Sequence, residues 1–479
     1  MENIASSSDS VNKRQEERSL WREKVEHRLR IAKERLHCET NSFQILKVPE
    51  YNRQPPEMYT PQGWRFGLHN LDSVDKDSAP EAMKLCVPLL FGLDEAQKWE
   101  NFCDYVVPDH TRMLGFYGLH KEDINLKEEE IKQLLAFDAL FIVWAIDLYE
   151  QCLSTNEHII CPKNQVPDAL LSKFILWSSI FRHDLWAVEN QIPFELIARA
   201  IEYINREKRL ETPVFPFELL NKRNVSLLEM WMKRAVQRSR YVFDMGDDMY
   251  AQEMSDLRLS ESHHILDAAY KVICGKEGLE RERDESQMGI IHIPSAIQLK
   301  HAGVKIEGVG KPLCTMSYNK TSKSLILPKM KIYDDTFAFI RNMARYALLD
   351  VKASSMYLDY ISIMLDLIKT PDDMDYLIKC GVIHNECGSR TFEMWQPLDK
   401  GLLLLPYSTR EVNAMKDDIN RRYDQKLPKL SREFRTLFCS RPWLVVPVIA
   451  ATLVTIATLI QTYTAVIGSD RMMPQYKNP

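Results

Sequence analysis

The chain has 479 residues, 45% hydrophobic and 27% charged, which is enough apolar material for one large core or two medium ones and too much for a disordered chain. A formal charge of −5 and a pI near 6.2 leave no global basic field, so nucleic acid is not an expected partner. The 10 cysteines are scattered singly from Cys38 to Cys439, with no CxxC pair, which excludes a disulfide-stapled secreted scaffold and reads as reduced cytosolic thiols.

The N-terminus, MENIASSSDSVNKRQEERS, is polar where a secretory signal needs an apolar core. Residues 1–44 read as a charged arm. Within it, from about Ser10 to Cys38, Trp21, Val25, Leu29, Ala32 and Leu36 recur at spacings of three and four, the stripe of a helix laid across a main body or offered to a partner. The main body is expected over 45–441, as two lobes of about 45–274 and 290–441 joined by a mobile loop at 275–289. The loop reading rests on GKEGLERERDESQMG, which is polar without apolar periodicity.

In the first lobe, Pro-rich turns are followed by EEEIKQLLAFDALFIVWAIDLYEQ, where acidic residues lead and an apolar block interrupted by Asp138 and Asp147 follows, predicting a core helix. ENQIPFELIARAIEYINREKRL predicts a helix with Pro193 near its first position and Phe194, Ile197, Ile201 and Ile204 as its buried stripe. His263 and His264 read as part of a polar helix face. In the second lobe, VKIEG and LILPKMKIY alternate as short strands. Helices resume at DDTFAFIRNMARYALL and YLDYISIMLDLI. In TPDDMDYLIKCG, Thr370 caps a helix, Pro371 begins it and Gly381 stops it. The expected fold is mainly α with a small β portion.

No charged residue lies between Pro442 and Ser469. That length suffices for one membrane-crossing helix over 442–469, and its Leu, Ile and Val residues favour insertion by roughly 4 kcal/mol at about 0.4 kcal/mol each. Arg422, Lys426, Lys429, Arg432, Arg435 and Arg441 precede it, and only Arg471 and Lys477 follow in the short tail, 470–479. This asymmetry places a helical body in the cytosol, tethered to the bilayer by a single pass. Ala451, Thr455, Thr458 and Thr462 share one small, hydroxyl-bearing face, suited either to self-association or to hydroxyls that bond back to their own helix.

The chemistry-bearing residues are few. His183, Asp184, Glu189 and Asn190, just before the helix at Pro193, are the candidate catalytic group of a hydrolase or transferase; the competing reading has them bracing the helix entry. Cys380, His384 and Cys387 stand at ligand-like spacing for zinc and lack a fourth donor. Gly310 and Lys311 fail as a phosphate loop, because Pro312 occupies the place of the magnesium-binding hydroxyl. No cofactor is expected.

The blocks HDLWAVENQIPF, SAIQLKHAGVKIEG, LPKMKIYDDTFAFIRNMA, DYLIKCGVIHNECGS and RPWLVVPVIAATLVTIATLIQTYT, in that order, resemble the plant family known as domain of unknown function 247, from about Ile45 to Ile467. The resemblance implies a mainly helical plant protein with a C-terminal membrane helix and no established activity. Some members are implicated in pollen and stigma self-recognition in grasses, which makes interaction or recognition the expected class, with a membrane-surface enzyme as the alternative. Three departures stand out. Trp144 and the Arg345–Leu348 stretch lack an acid that relatives carry, and Leu68 replaces a proline between Gly67 and His69.

Overall fold

The computed structural model describes residues 45, 47–50, 53, 59–71, 78–153, 166–210, 242–245, 262–281, 291–349, 355–401, 408–425 and 442–470. The N-terminal arm, the tail after 470 and Asn224, which forms a glycosylation acceptor sequon with Ser226, lie outside them.

The first part is helical: α1 (Ala79–Leu90), α2 (Ala96–Val106), α3 (His110–Phe116), α4 (Glu128–Leu153), α5 (Asp168–Leu185) and α6 (Phe194–Leu210). Three glutamates open α4, where the positive helix end favours them. The block that follows is buried from Leu135 and Ala136 through Ala139 to Ile146, as expected of a core helix; α1, α2, α3 and α6 pack around it. Phe194, Ile197, Ile201 and Ile204 are all buried, so the predicted stripe of α6 faces inward.

Next come α7 (Ile265–Cys274), the single turn α8 (Lys276–Leu279) and α9 (Ala296–His301). The loop expected at 275–289 is thus partly ordered. Gly275 takes φ 76° between α7 and α8, Gly278 is buried, and 282–290 lies outside the described residues. His264 also differs from its expected polar face: it is 1% exposed and caps α7, its ring nitrogen accepting the Asp267 amide. A histidine that satisfies a helix end in this way keeps its ring nitrogen hydrogen-bonded when buried.

The β portion is small. Strands β1 (Lys305–Val309), β2 (Ser317–Asn319) and β3 (Ser324–Pro328) form a sheet of order β1-β3-β2, with β1 parallel and β2 antiparallel to β3. Strand β4 (Met330–Ile332) pairs with β5 (Ile383–Asn385) in parallel. Helices α10 (Thr336–Leu349), α11 (Met356–Leu367), α12 (Pro371–Lys379), α13 (Thr391–Gly401) and α14 (Arg410–Asp424) complete this part. Thr370 caps α12 in a capping box, and Gly381 takes φ 70° after it, as the sequence signals predict. The two expected lobes share one contiguous hydrophobic cluster. Trp186 meets Phe339 across them at 5.3 Å.

The last element is α15 (Pro442–Asp470). Among the described residues no helix is long and apolar enough to cross a membrane, so these residues do not support the span predicted over 442–469. The side chains from Ala450 to Thr464 form a continuous described run in α15. Every residue of that run is exposed.

Candidate functional site

The four candidate residues before α6 sit where α5 ends and the chain turns through Trp186 to Pro193. Asp184 is fully buried in the last turn of α5, where the helix dipole disfavours a negative charge. Three backbone amides from an N-terminal strap compensate: Gln62 N donates at 2.7 Å, Gly63 N at 2.9 Å and Trp64 N at 2.7 Å. His183 Nδ1 lies 3.0 Å from the same carboxylate.

Glu189 pins the strap further along. Its Oε1 accepts the Val48 amide at 2.6 Å, and its Oε2 pairs with Arg53. Asn190 uses both ends of its amide: Nδ2 donates to Trp64 O at 2.8 Å and Asp184 O at 2.9 Å, while Oδ1 accepts Phe66 N at 2.7 Å. His183 and Asp184 pair locally and Asn190 ties back to Asp184 O, while Glu189 and Asn190 reach beyond the helix entry that they were expected to brace. They hold a segment more than a hundred residues away in sequence, because buried amides left unpaired by the irregular strap need acceptors.

Sequence reasoning missed the rest of this network. Gln191 donates to Leu185 O and Ala187 O at 2.7 and 3.0 Å and accepts Leu266 N. Asn342 accepts Val188 N at 2.9 Å. Asp138, 3% exposed in α4, accepts Gly67 N at 2.8 Å and Lys84 Nζ at 2.9 Å. Burial pushes the Asp138 carboxyl up to about 6, with Lys84 opposing. The available signals were a lysine inside the apolar run of α1 and an aspartate inside that of α4. Gly67 is required at its position: its φ is +70°, and an added Cβ would stand 2.5 Å from both Gln191 O and the Tyr117 hydroxyl. His69 is half-buried nearby, its imidazole pushed down to about 4 by desolvation. The strap is closed by aromatic packing, with Trp64 stacked on Phe141 at 4.5 Å.

This arrangement joins elements; it does not present them. Asp184, Glu189 and Asn190 are each at most 1% exposed, and the contacts above occupy both oxygens of each carboxylate. Two surface depressions lie on other elements, at Ile456–Tyr463 on α15 and Asp417–Gln425 on α14.

The second candidate group does not converge on a metal. Cys387 Sγ is 3.5 Å from Asp334 Oδ1, and burial, then Asp334, pushes this thiol up to about 11. His384 is exposed and paired with Glu386 at 2.6 Å, while Cys380 ends α12. Among the described residues no cluster of three His, Cys, Asp or Glu groups could hold a metal. On α15, the hydroxyls of Thr455, Thr458 and Thr462 donate to Ala451 O, Val454 O and Thr458 O at 2.8, 2.7 and 2.8 Å. Of the two readings of that face, the structure shows the hydroxyls bonded back to their own helix.

The α5–α6 turn, the second lobe and α15 carry the sequence blocks that suggested a family. The model of the DUF247 family, described as a plant protein of unknown function, matches residues 45–457. The chain belongs to this family. No curated protein and no solved structure matches it. Within this DUF247 chain, Trp144, which departs from the relatives' acid, is fully buried with its indole N–H unpartnered among the described residues. Arg345 donates to the Tyr59 hydroxyl at 3.2 Å, so the second departure lies in a stretch that also faces the strap.

Proposed function

We propose that this DUF247 chain is a membrane-tethered interaction or recognition protein, its body in the cytosol and α15 its single-pass anchor in the lipid bilayer. The observation that carries the reading is the surface of α15. Leu453, Val454, Ile456, Leu459, Ile460 and Tyr463 are 48–68% exposed, on a helix whose sequence has no charge from 442 to 469. A helix apolar on all sides belongs in a core or in lipid, and nothing in the described chain covers this one. The threonine hydroxyls already bonded to their own helix add no unmet polar group. A surface enzyme working through Asp184 and Glu189 has no comparable support, since both carboxylates are enclosed and engaged.

The anchor is tested by expressing the full chain and a chain truncated before Pro442 in plant cells. The full chain should stay with membranes through alkaline carbonate washing, and the truncated chain should not. Carbonate release of the full chain would show that α15 packs on protein and not in lipid. Orientation is tested separately at Asn319, which is exposed and begins an acceptor sequon with Thr321. It should remain unglycosylated. An endoglycosidase-sensitive mobility shift abolished by Asn319→Gln plus Asn224→Gln would place the body outside the cytosol.

A further inference from the structure

A helix packed on a core ordinarily buries an apolar stripe and leaves its polar residues in water. The inner face of α14 departs from this. Val412, Met415 and Ile419 are buried, and so are Thr409, Asn413 and Lys416, the last two at 3% and 1% exposure. Across from them α11 presents Asp359, Ser362 and Asp366, again at helical spacing, with both aspartates buried. Side chains bridge the two helices along their length. Asp359 accepts the Thr409 amide at 3.0 Å and the Ser408 hydroxyl, and Lys416 Nζ donates to Ser362 Oγ at 3.0 Å. Asn420 Nδ2 donates at 2.9 Å to the carbonyl of His292, whose ring lies 2.7 Å from Asp366 Oδ1.

This seam leaves polar groups poorly served. Neither the nitrogen nor the oxygen of the Asn413 side-chain amide has a hydrogen-bond partner among the described residues. The hydrogen bond described for the Lys416 ammonium goes to a neutral hydroxyl. Burial pushes Lys416 below its ordinary value, with Asp366 and Asp359 opposing, and pushes Asp359 above its own. Buried amides and charges held in this way lose more in solvation than the seat returns. The remaining attachment is modest: α14 packs on β2, where Lys320 and Asp418 pair at 2.9 Å with the lysine largely exposed, a kind of contact that contributes little.

We propose that α14 is a detachable clasp, which docks on α11 and β2 in the closed body and undocks as a unit through a local opening that leaves the rest of the fold intact. Undocking exposes Val412, Met415 and Ile419 on α14, and it returns Asn413 and Lys416 to water. It also uncovers the line Asp359, Ser362 and Asp366 on α11. Since α14 is the last described element before α15, its release frees the chain on that side of the body.

The test is hydrogen–deuterium exchange read by mass spectrometry on the full chain. A 15-residue helix is marginal in water by itself, so α14 exchanges its amides when undocked and protects them when docked. In the wild-type chain α14 should be protected at least about tenfold less than α4 and α11, as expected of a separate opening unit. Lys416→Met and Asn413→Leu place apolar groups of similar size in the seat, and each should slow exchange in α14 about tenfold while leaving α4 unchanged. Ser362→Ala, which removes the hydroxyl that holds the ammonium, should speed it. Protection of α14 equal to that of α4, exchange of α14 together with α11, or faster exchange in Lys416→Met would each overturn the proposal. Should a substitution unfold the body, seen as lost protection in α4, the wild-type comparison of α14 with α4 and α11 decides by itself.

Discussion

Asp184 is a charge at 0% exposure, and Leu453 is a hydrocarbon side chain at 61% exposure. Each inverts the usual rule, and the two differ in what compensates them. Around Asp184 the fold supplies its own remedy, three amides and an imidazole at 2.7–3.0 Å. Around Leu453 the described chain supplies nothing. The first region satisfies its charge from within the fold; the second leaves its hydrocarbon exposed among the described residues.

The contrast breaks most sharply at Asp184. Asp184→Ala should cost the body about 3–5 kcal/mol in urea unfolding, by leaving strap amides without acceptors, and Asp184→Asn should cost less because one acceptor oxygen remains. If both variants unfold with the wild-type midpoint, the strap is not held as described. Neither should alter the membrane retention proposed for α15.

The second test is the pH dependence of the strap. His69 is pushed down to about 4 by burial, against an ordinary value of 6.5, so the folded chain keeps it neutral where the unfolded chain protonates it. Its contribution is fully present above pH 6.5 and is lost as pH falls toward 4, by up to about 3 kcal/mol. Asp138, pushed up to about 6, opposes this: the folded form takes up its proton first and gains stability as pH falls. His69→Asn should therefore flatten the acid side of a melting-temperature profile between pH 4 and 7. A wild-type-to-variant difference that stays constant with pH would remove His69 from the account.

The smallest effect is expected on α15. Thr458→Val removes a hydroxyl that only serves its own helix, and should change body stability by less than about 0.5 kcal/mol while leaving membrane retention intact. Loss of self-association in a membrane cross-linking assay, with retention unchanged, would instead show that this hydroxyl bonds across helices.

Much of the fold was legible because its signals are local. The acidic opening of α4, the stripe Phe194, Ile197, Ile201 and Ile204, and the Thr370, Pro371 and Gly381 punctuation of α12 each lie within a few turns of the element they define. The alternation around β1, β3 and β4 was equally readable. Strands β2 and β5, three residues each, were not, since so short a strand exists only through the neighbour it pairs with.

The candidate site divides in the same way. Sequence identified Asp184, Glu189 and Asn190 as part of a candidate catalytic group, and it identified the uncharged run from 442 to 469. Their roles depend on partners that chain order does not reveal: Glu189 meets Val48 across 141 positions, and Asp184 meets Gln62 across 122. Asp138 and Lys84 are 54 apart, and each looks like a flaw in its own helix until packing brings them together. His264 passes from an expected polar surface to a buried cap for the same reason. Helix periodicity and capping are set by contacts within three or four residues, so the sequence by itself determined them. Which buried acceptor satisfies which distant amide is set only when the core closes, and that the tertiary structure decided.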